Sequence, residues 1–206
     1  LEQLKNFFGW IEWLIHTGTT YVFSCTAALI VPFIQVYTLG IKDANYIQPT
    51  FAILLTLANA MHCLRLPYNI MVLAAGHYKQ TQRNYIVAAI LNIVVSVLTV
   101  KIWGLIGVAI GTLVAMAYQT IWLAVYDSRN FIYWPLKKVI RQFLVDIISS
   151  FLIISFSSHI FLIDINYFNW FIMAIKVAFV ALFVVLSINV LFYKSKMKQL
   201  IFKLKK

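Results

Sequence analysis

Charge is what this sequence has least of. Six acidic and 17 basic residues among 206 make 11% charged against 63% hydrophobic, with a mean hydropathy of +0.88. Soluble domains carry about a quarter charged residues, and so thin a polar complement cannot coat a water-soluble particle. Soluble enzymes and soluble nucleic-acid-binding domains are therefore excluded. Disorder is excluded too, because chains that stay unfolded are poor in apolar residues. The six acids (Glu2, Glu12, Asp43, Asp127, Asp146, Asp164) are scattered, so no acidic pair suits general acid–base work or a divalent metal. The two cysteines, Cys25 and Cys63, lie in apolar runs and offer neither a disulfide framework nor a paired-cysteine metal site. His16, His62, His77 and His159 lack the spacing of two histidines four apart flanking a glutamate, and no seryl nucleophile elbow occurs. Catalysis is not expected, a lipid-directed transferase being the residual enzymatic alternative. There is no methionine start and no signal-peptide layout at Leu1, which suggests a truncated chain or an alternative start.

What is present is long apolar runs. Six stand out, roughly 14–38, 51–75, 85–100, 103–126, 143–163 and 168–193. Runs of about 20 apolar residues match the thickness of a bilayer core, and continuous rather than alternating hydrophobicity favours helices over barrel strands. The reading is an all-α membrane protein with six transmembrane helices, a single polytopic domain over 1–206 without a linker.

The +11 net charge invites a nucleic-acid partner, but the basic residues lie in the connecting segments and a tail. With the N-terminus inside, the cytoplasmic side holds Lys5, Lys79, Arg83, Arg129, Lys137, Lys138 and Arg141. The tail over 194–206 adds six lysines, while the outer loops hold only Lys42 and Lys101. The positive-inside rule then predicts N-in/C-in topology in a cell membrane. All six tryptophans (Trp10, Trp13, Trp103, Trp122, Trp134, Trp170) fall at or near span ends, as in an interfacial aromatic belt. The longest polar stretch, 127–142, is expected to be a cytoplasmic loop with a short amphipathic piece around 134–142. The basic tail interleaves Leu200, Ile201, Phe202 and Leu204 and should rest on anionic headgroups, a docking role for a partner being the alternative.

Arg65 is the most informative residue, since it falls in the second run roughly 15 Å from the nearer end. A charge at that depth costs at least about 2.5–3.5 kcal/mol on insertion scales and normally faces a bundle interior or a wet cavity. At about 100° per residue His62, Arg65 and Asn69 share one face, with Asn59 adjoining it. Pro67 interrupts the same helix and frees a carbonyl. Two readings follow: an anion-binding wall, or an arginine that pairs with an acid of another helix or snorkels. The third run carries Asn92, Ser96 and Thr99 on one face, suited equally to a cavity wall or to interhelical hydrogen bonds. In the fourth, Gly104, Gly107, Gly111 and Ala115 form a small-residue face for close helix packing. Lys176 in the sixth run snorkels outward, contacts an anionic substrate, or pairs with Asp146 or Asp164.

The order of short motifs resembles a known family. Pro32–Asn45 (PFIQVYTLGIKDAN) followed by Tyr46-Ile47-Gln48-Pro49, then Leu64–Gln80 (LRLPYNIMVLAAGHYKQ), then Asn92 and the stretch from Gly104 to Thr112 (GLIGVAIGT), are similar to segments of polysaccharide repeat-unit (Wzx-type) flippases. These belong to the multidrug/oligosaccharidyl-lipid/polysaccharide exporter superfamily. The match covers about 32–126. The resemblance implies one lobe, the C-terminal one, of a two-lobe flippase with 12–14 helices, the N-terminal lobe being absent from this chain. It also implies the cargo, an undecaprenyl-diphosphate-linked oligosaccharide flipped across the cytoplasmic membrane by alternating access for capsule or O-antigen synthesis. Partners would be membrane lipid, the missing lobe and polysaccharide polymerase machinery, with no nucleic acid. No cofactor is implied, and a coupling ion, proton or sodium, is left open. On that reading Arg65, with His62 beside it, binds the diphosphate; Asn59, Asn69 and Asn92 meet sugar hydroxyls. Lys79 and Arg83 collect the headgroup at the cytoplasmic mouth, although both also serve the topology signal. The alternatives are a multidrug exporter of the same superfamily, disfavoured by a deep arginine without a lumenal acid, and an accessory subunit or inactive remnant.

Overall fold

The computed structural model describes residues 2–131 and 133–204. The described residues form helices α1 (Glu2–Tyr37), α2 (Pro49–Leu64), α3 (Leu66–Ala74), α4 (Tyr78–Trp103), α5 (Leu105–Asn130), α6 (Leu136–Ser157), α7 (Tyr167–Phe192) and α8 (Lys194–Leu204), and no strand. With α2 and α3 taken together, six segments are long and apolar enough to cross a membrane. The chain is a multi-pass, all-helical membrane protein.

Several boundaries differ from those read off hydropathy, each for a physical reason. The first helix starts at Glu2 rather than near Leu14. Hydropathy penalises Glu12 and His16, yet both are buried on one stripe with Phe8, Gly9, Trp13 and Thr19, and spacing of three and four residues puts that stripe on a single helix face. The fourth span runs on past Tyr126 to Asn130, carrying Asp127 inside at 1% exposure. The polar stretch 127–142 is consequently not one loop: α5 takes its start, and the amphipathic piece around 134–142 becomes the opening of α6. The basic tail is helical as α8.

The chain divides into two compact units, Leu1–Thr19 with Gln48–Ile140, and Thr20–Ile47 with Arg141–Lys206. In the first, α5 is the central helix and packs along α4 and α2, touching α3. Gly107 and Gly111 let α4 approach: a Cβ on Gly107 would lie 2.5 Å from the Thr99 carbonyl oxygen and the Val100 nitrogen, and one on Gly111 would lie 2.9 Å from the Asn92 carbonyl oxygen. Gly104 plays another part. It adopts φ +57 between α4 and α5, a conformation that glycine adopts without the steric penalty of a Cβ. In the second unit, Val145 and Ile153 of α6 meet Ala181, Val184, Val185 and Ile188 of α7, with Tyr21 and Cys25 packed against them.

Candidate functional site

The site begins with a helix break. Pro67 has no N–H to give the carbonyl four residues back, and its ring crowds that carbonyl, so α2 ends at Leu64 and α3 starts at Leu66. Arg65 is the joint residue, with φ −74 and ψ −24, and its backbone still bonds Met61 O at 3.2 Å and receives Asn69 N at 3.0 Å. The break is therefore local, and the two helices remain one span. Thr120 of α5 steadies it by donating from Oγ1 to Met61 O at 2.8 Å.

Arg65 is 8% exposed and lies nine residues from the end of α3 at Ala74, roughly 14 Å along the helix. Its Nη2 donates to His62 Nδ1 at 2.7 Å. Arginine is only a donor, so this contact requires a neutral His62 carrying its proton on Nε2. Arg65 Nε is buried without a hydrogen-bond partner, and no carboxylate pairs with the guanidinium among the described residues. Of the two sequence readings of Arg65, ion pairing with another helix thus has no counterpart in the described residues.

Asn69, one turn on, lies in an open groove of about 670 Å³ between α3 and α4. Lys79, Tyr78, Thr81, Gln82 and Tyr85 line it from the α4 side. Tyr85 donates from its hydroxyl to Asn69 Oδ1 at 2.6 Å and lies within electrostatic reach of Arg65. Arg65 and the groove are thereby joined through Asn69 and Tyr85.

The other sequence-derived candidates are distributed differently. Asn59 and His62 are exposed on α2, Asn59 donating to Leu55 O at 2.8 Å. Arg83 is exposed on α4, outside the residues lining the groove. Asn92 lies on the α4–α5 seam, where its Oδ1 accepts from Ser96 Oγ at 3.1 Å and its carbonyl backs Gly111. Thr99 on the same stripe donates to Gly107 O at 2.8 Å. In the second unit, Lys176 is exposed beside a recess of about 50 Å³ shared with Asn169 and Met173.

One buried cluster has no signature in the sequence. Glu12 of α1 accepts from Tyr68 Oη at 2.8 Å and from Trp134 Nε1 at 3.0 Å. Phe8 packs on both rings, and Gly9 leaves room for the Trp134 indole. Residues 56 and 122 positions apart meet here, and only the long first helix brings Glu12 to them. Tyr85 and Gln82 were likewise missed, because exposed residues at the start of an apolar helix look like interface anchors until α3 is laid beside them.

No protein-family model, curated protein or solved structure matches this chain.

Proposed function

We propose that this chain is a lobe of a transporter that moves an anionic, diphosphate-linked oligosaccharide lipid across the cell membrane by alternating access. One observation carries the reading: a guanidinium buried deep in a membrane span, at a helix break, with no carboxylate partner among the described residues. A permanent cation left in that state is costly, and residues of this kind within spans mark substrate pathways. A phosphate-bearing headgroup is the complement, because guanidinium binds its oxygens in a bidentate fork and cannot lose its charge. The polar, exposed face formed by Asn59 and His62 is unsuited to lipid and suited to a wet cavity wall. Organic cations as cargo are disfavoured by the same arginine. Glu12, the buried acid of the neighbouring helix, is already engaged by Tyr68 and Trp134.

The test is complementation of a flippase-deficient strain with this chain co-expressed with the preceding lobe, wild type beside Arg65→Ala. Surface polysaccharide and accumulated lipid-linked precursor are scored. Loss of export with precursor build-up at normal membrane levels is expected for the variant. Full rescue by Arg65→Ala would rule the anion site out.

A further inference from the structure

We infer that the α3–α4 groove is a carbohydrate subsite, in which Tyr78 and Tyr85 are stacking walls and Gln82 and Asn69 read sugar hydroxyls. The inference rests on the reading of Arg65 as the phosphate-binding end and assigns the other end of the same ligand. Tyr78, Gln82 and Tyr85 recur at spacings of four and three along α4, so they form one stripe, and all three line the groove. Both tyrosines keep open ring surface, at 59% and 38% exposure. Neither ring is loose. Tyr78 Oη donates to Leu73 O at 3.2 Å and Tyr85 Oη to Asn69 Oδ1 at 2.6 Å. Each phenol is pinned to α3 by its tip, which braces the ring across the groove and leaves its faces available. Pre-braced aromatic rings lose little freedom when a ligand stacks on them.

The polar groups complete the chemistry. With Oδ1 of Asn69 committed to Tyr85, its Nδ2 retains both N–H donors, and the Gln82 amide has no hydrogen-bond partner among the described residues. A sugar presents hydroxyls that donate and accept, as carboxamides do, and apolar C–H faces that fit an aromatic ring. A bare phosphate would use the lysine and arginine but neither amide acceptors nor aromatic walls. Arg65, beyond Tyr85, sets a cation at the end where a diphosphate would join the sugar, and Lys79 lines the opposite end, beside Tyr78. A volume of about 670 Å³ falls within the usual range for small-molecule sites, about 300–1,000 Å³.

The experiment compares two probes on the full chain in nanodiscs by native mass spectrometry: undecaprenyl diphosphate and undecaprenyl diphosphate carrying a disaccharide. Wild type should prefer the glycosylated lipid by about tenfold, the equivalent of one or two good contacts. Tyr78→Leu and Gln82→Leu should bring that ratio towards one without weakening the bare lipid. Tyr85→Phe, which keeps the ring and releases Asn69, should reduce the preference about threefold. Arg65→Ala should weaken both lipids alike. Equal binding of the two lipids by wild type, or a preference untouched by Tyr78→Leu and Gln82→Leu, overturns the carbohydrate subsite and leaves the phosphate reading standing. Binding of neither lipid, or bare-lipid binding indifferent to Arg65→Ala, overturns the phosphate reading and this one with it.

Discussion

Gly107→Ala separates two effects of opposite sign at one helix position, and the structure says which wins. In isolation, alanine improves a helix over glycine by about 0.8–1 kcal/mol. At Gly107 the added methyl would meet the α4 backbone, with the Thr99 carbonyl oxygen and Val100 nitrogen both at 2.5 Å. Ordinary carbon contacts need about 3.5 Å or more, so α4 and α5 must part by roughly 1 Å. A backbone cannot swing aside as a side chain can, so the whole seam yields, including the Thr99 to Gly107 hydrogen bond. Overpacking of this kind costs about 1–3 kcal/mol or more, and the hydrogen bond adds about 1 kcal/mol. Set against the gain in propensity, the net loss is about 1–3 kcal/mol. Gly18→Ala is the matched control. It lies in α1 with nothing within 4 Å of an added Cβ, so propensity acts alone and stability should rise by up to about 1 kcal/mol. Thermal unfolding of both variants in one detergent, followed by far-UV circular dichroism, gives the comparison. Should Gly107→Ala melt at or above Gly18→Ala, close helix approach would not be what these glycines provide.

Two further substitutions probe buried polar groups of the first unit. Glu12→Leu removes the acceptor of both the buried Tyr68 and the half-buried Trp134, stranding the Tyr68 donor at about 1–3 kcal/mol and the Trp134 donor at less; a lower melting temperature and altered tryptophan emission should follow, whereas Glu12→Gln, which keeps one acceptor, should lose less. Asp127 is 1% exposed with neither carboxylate oxygen hydrogen-bonded among the described residues, so Asp127→Leu should raise stability by about 1–3 kcal/mol, read by the same melts; a decrease would mean that the carboxylate holds a partner in the membrane.

Much of this architecture is legible from the chain alone. Six apolar runs had to become helices, because in lipid every backbone polar group must be satisfied within the segment. A proline two residues after a deep arginine announced both the helix break and the residue to watch, and three of the small residues in the fourth span, Gly107, Gly111 and Ala115, did end buried on α5. Hydropathy failed where polar residues lie buried inside a helix. Glu12 and His16 lowered the score of the first helix and hid its opening turns, and Asp127 seemed to end the fourth span while lying inside it.

Spacing along one helix assigns residues to a face, but it says nothing of what lies opposite. The sequence could group Arg65 with Asn69, and equally Asn92 with Ser96 and Thr99. Only the tertiary structure sent Asn69 to a groove shared with Tyr85 and Lys79 while Arg65 stays buried outside its lining, and the second set to the α4–α5 seam. The physical reason is that burial, chain direction and helix propensity are properties of the segment, whereas a binding groove is a property of two segments whose distance and register are set by packing. The character of each helix was therefore decided locally. Which polar residues look into a common space was decided by the fold.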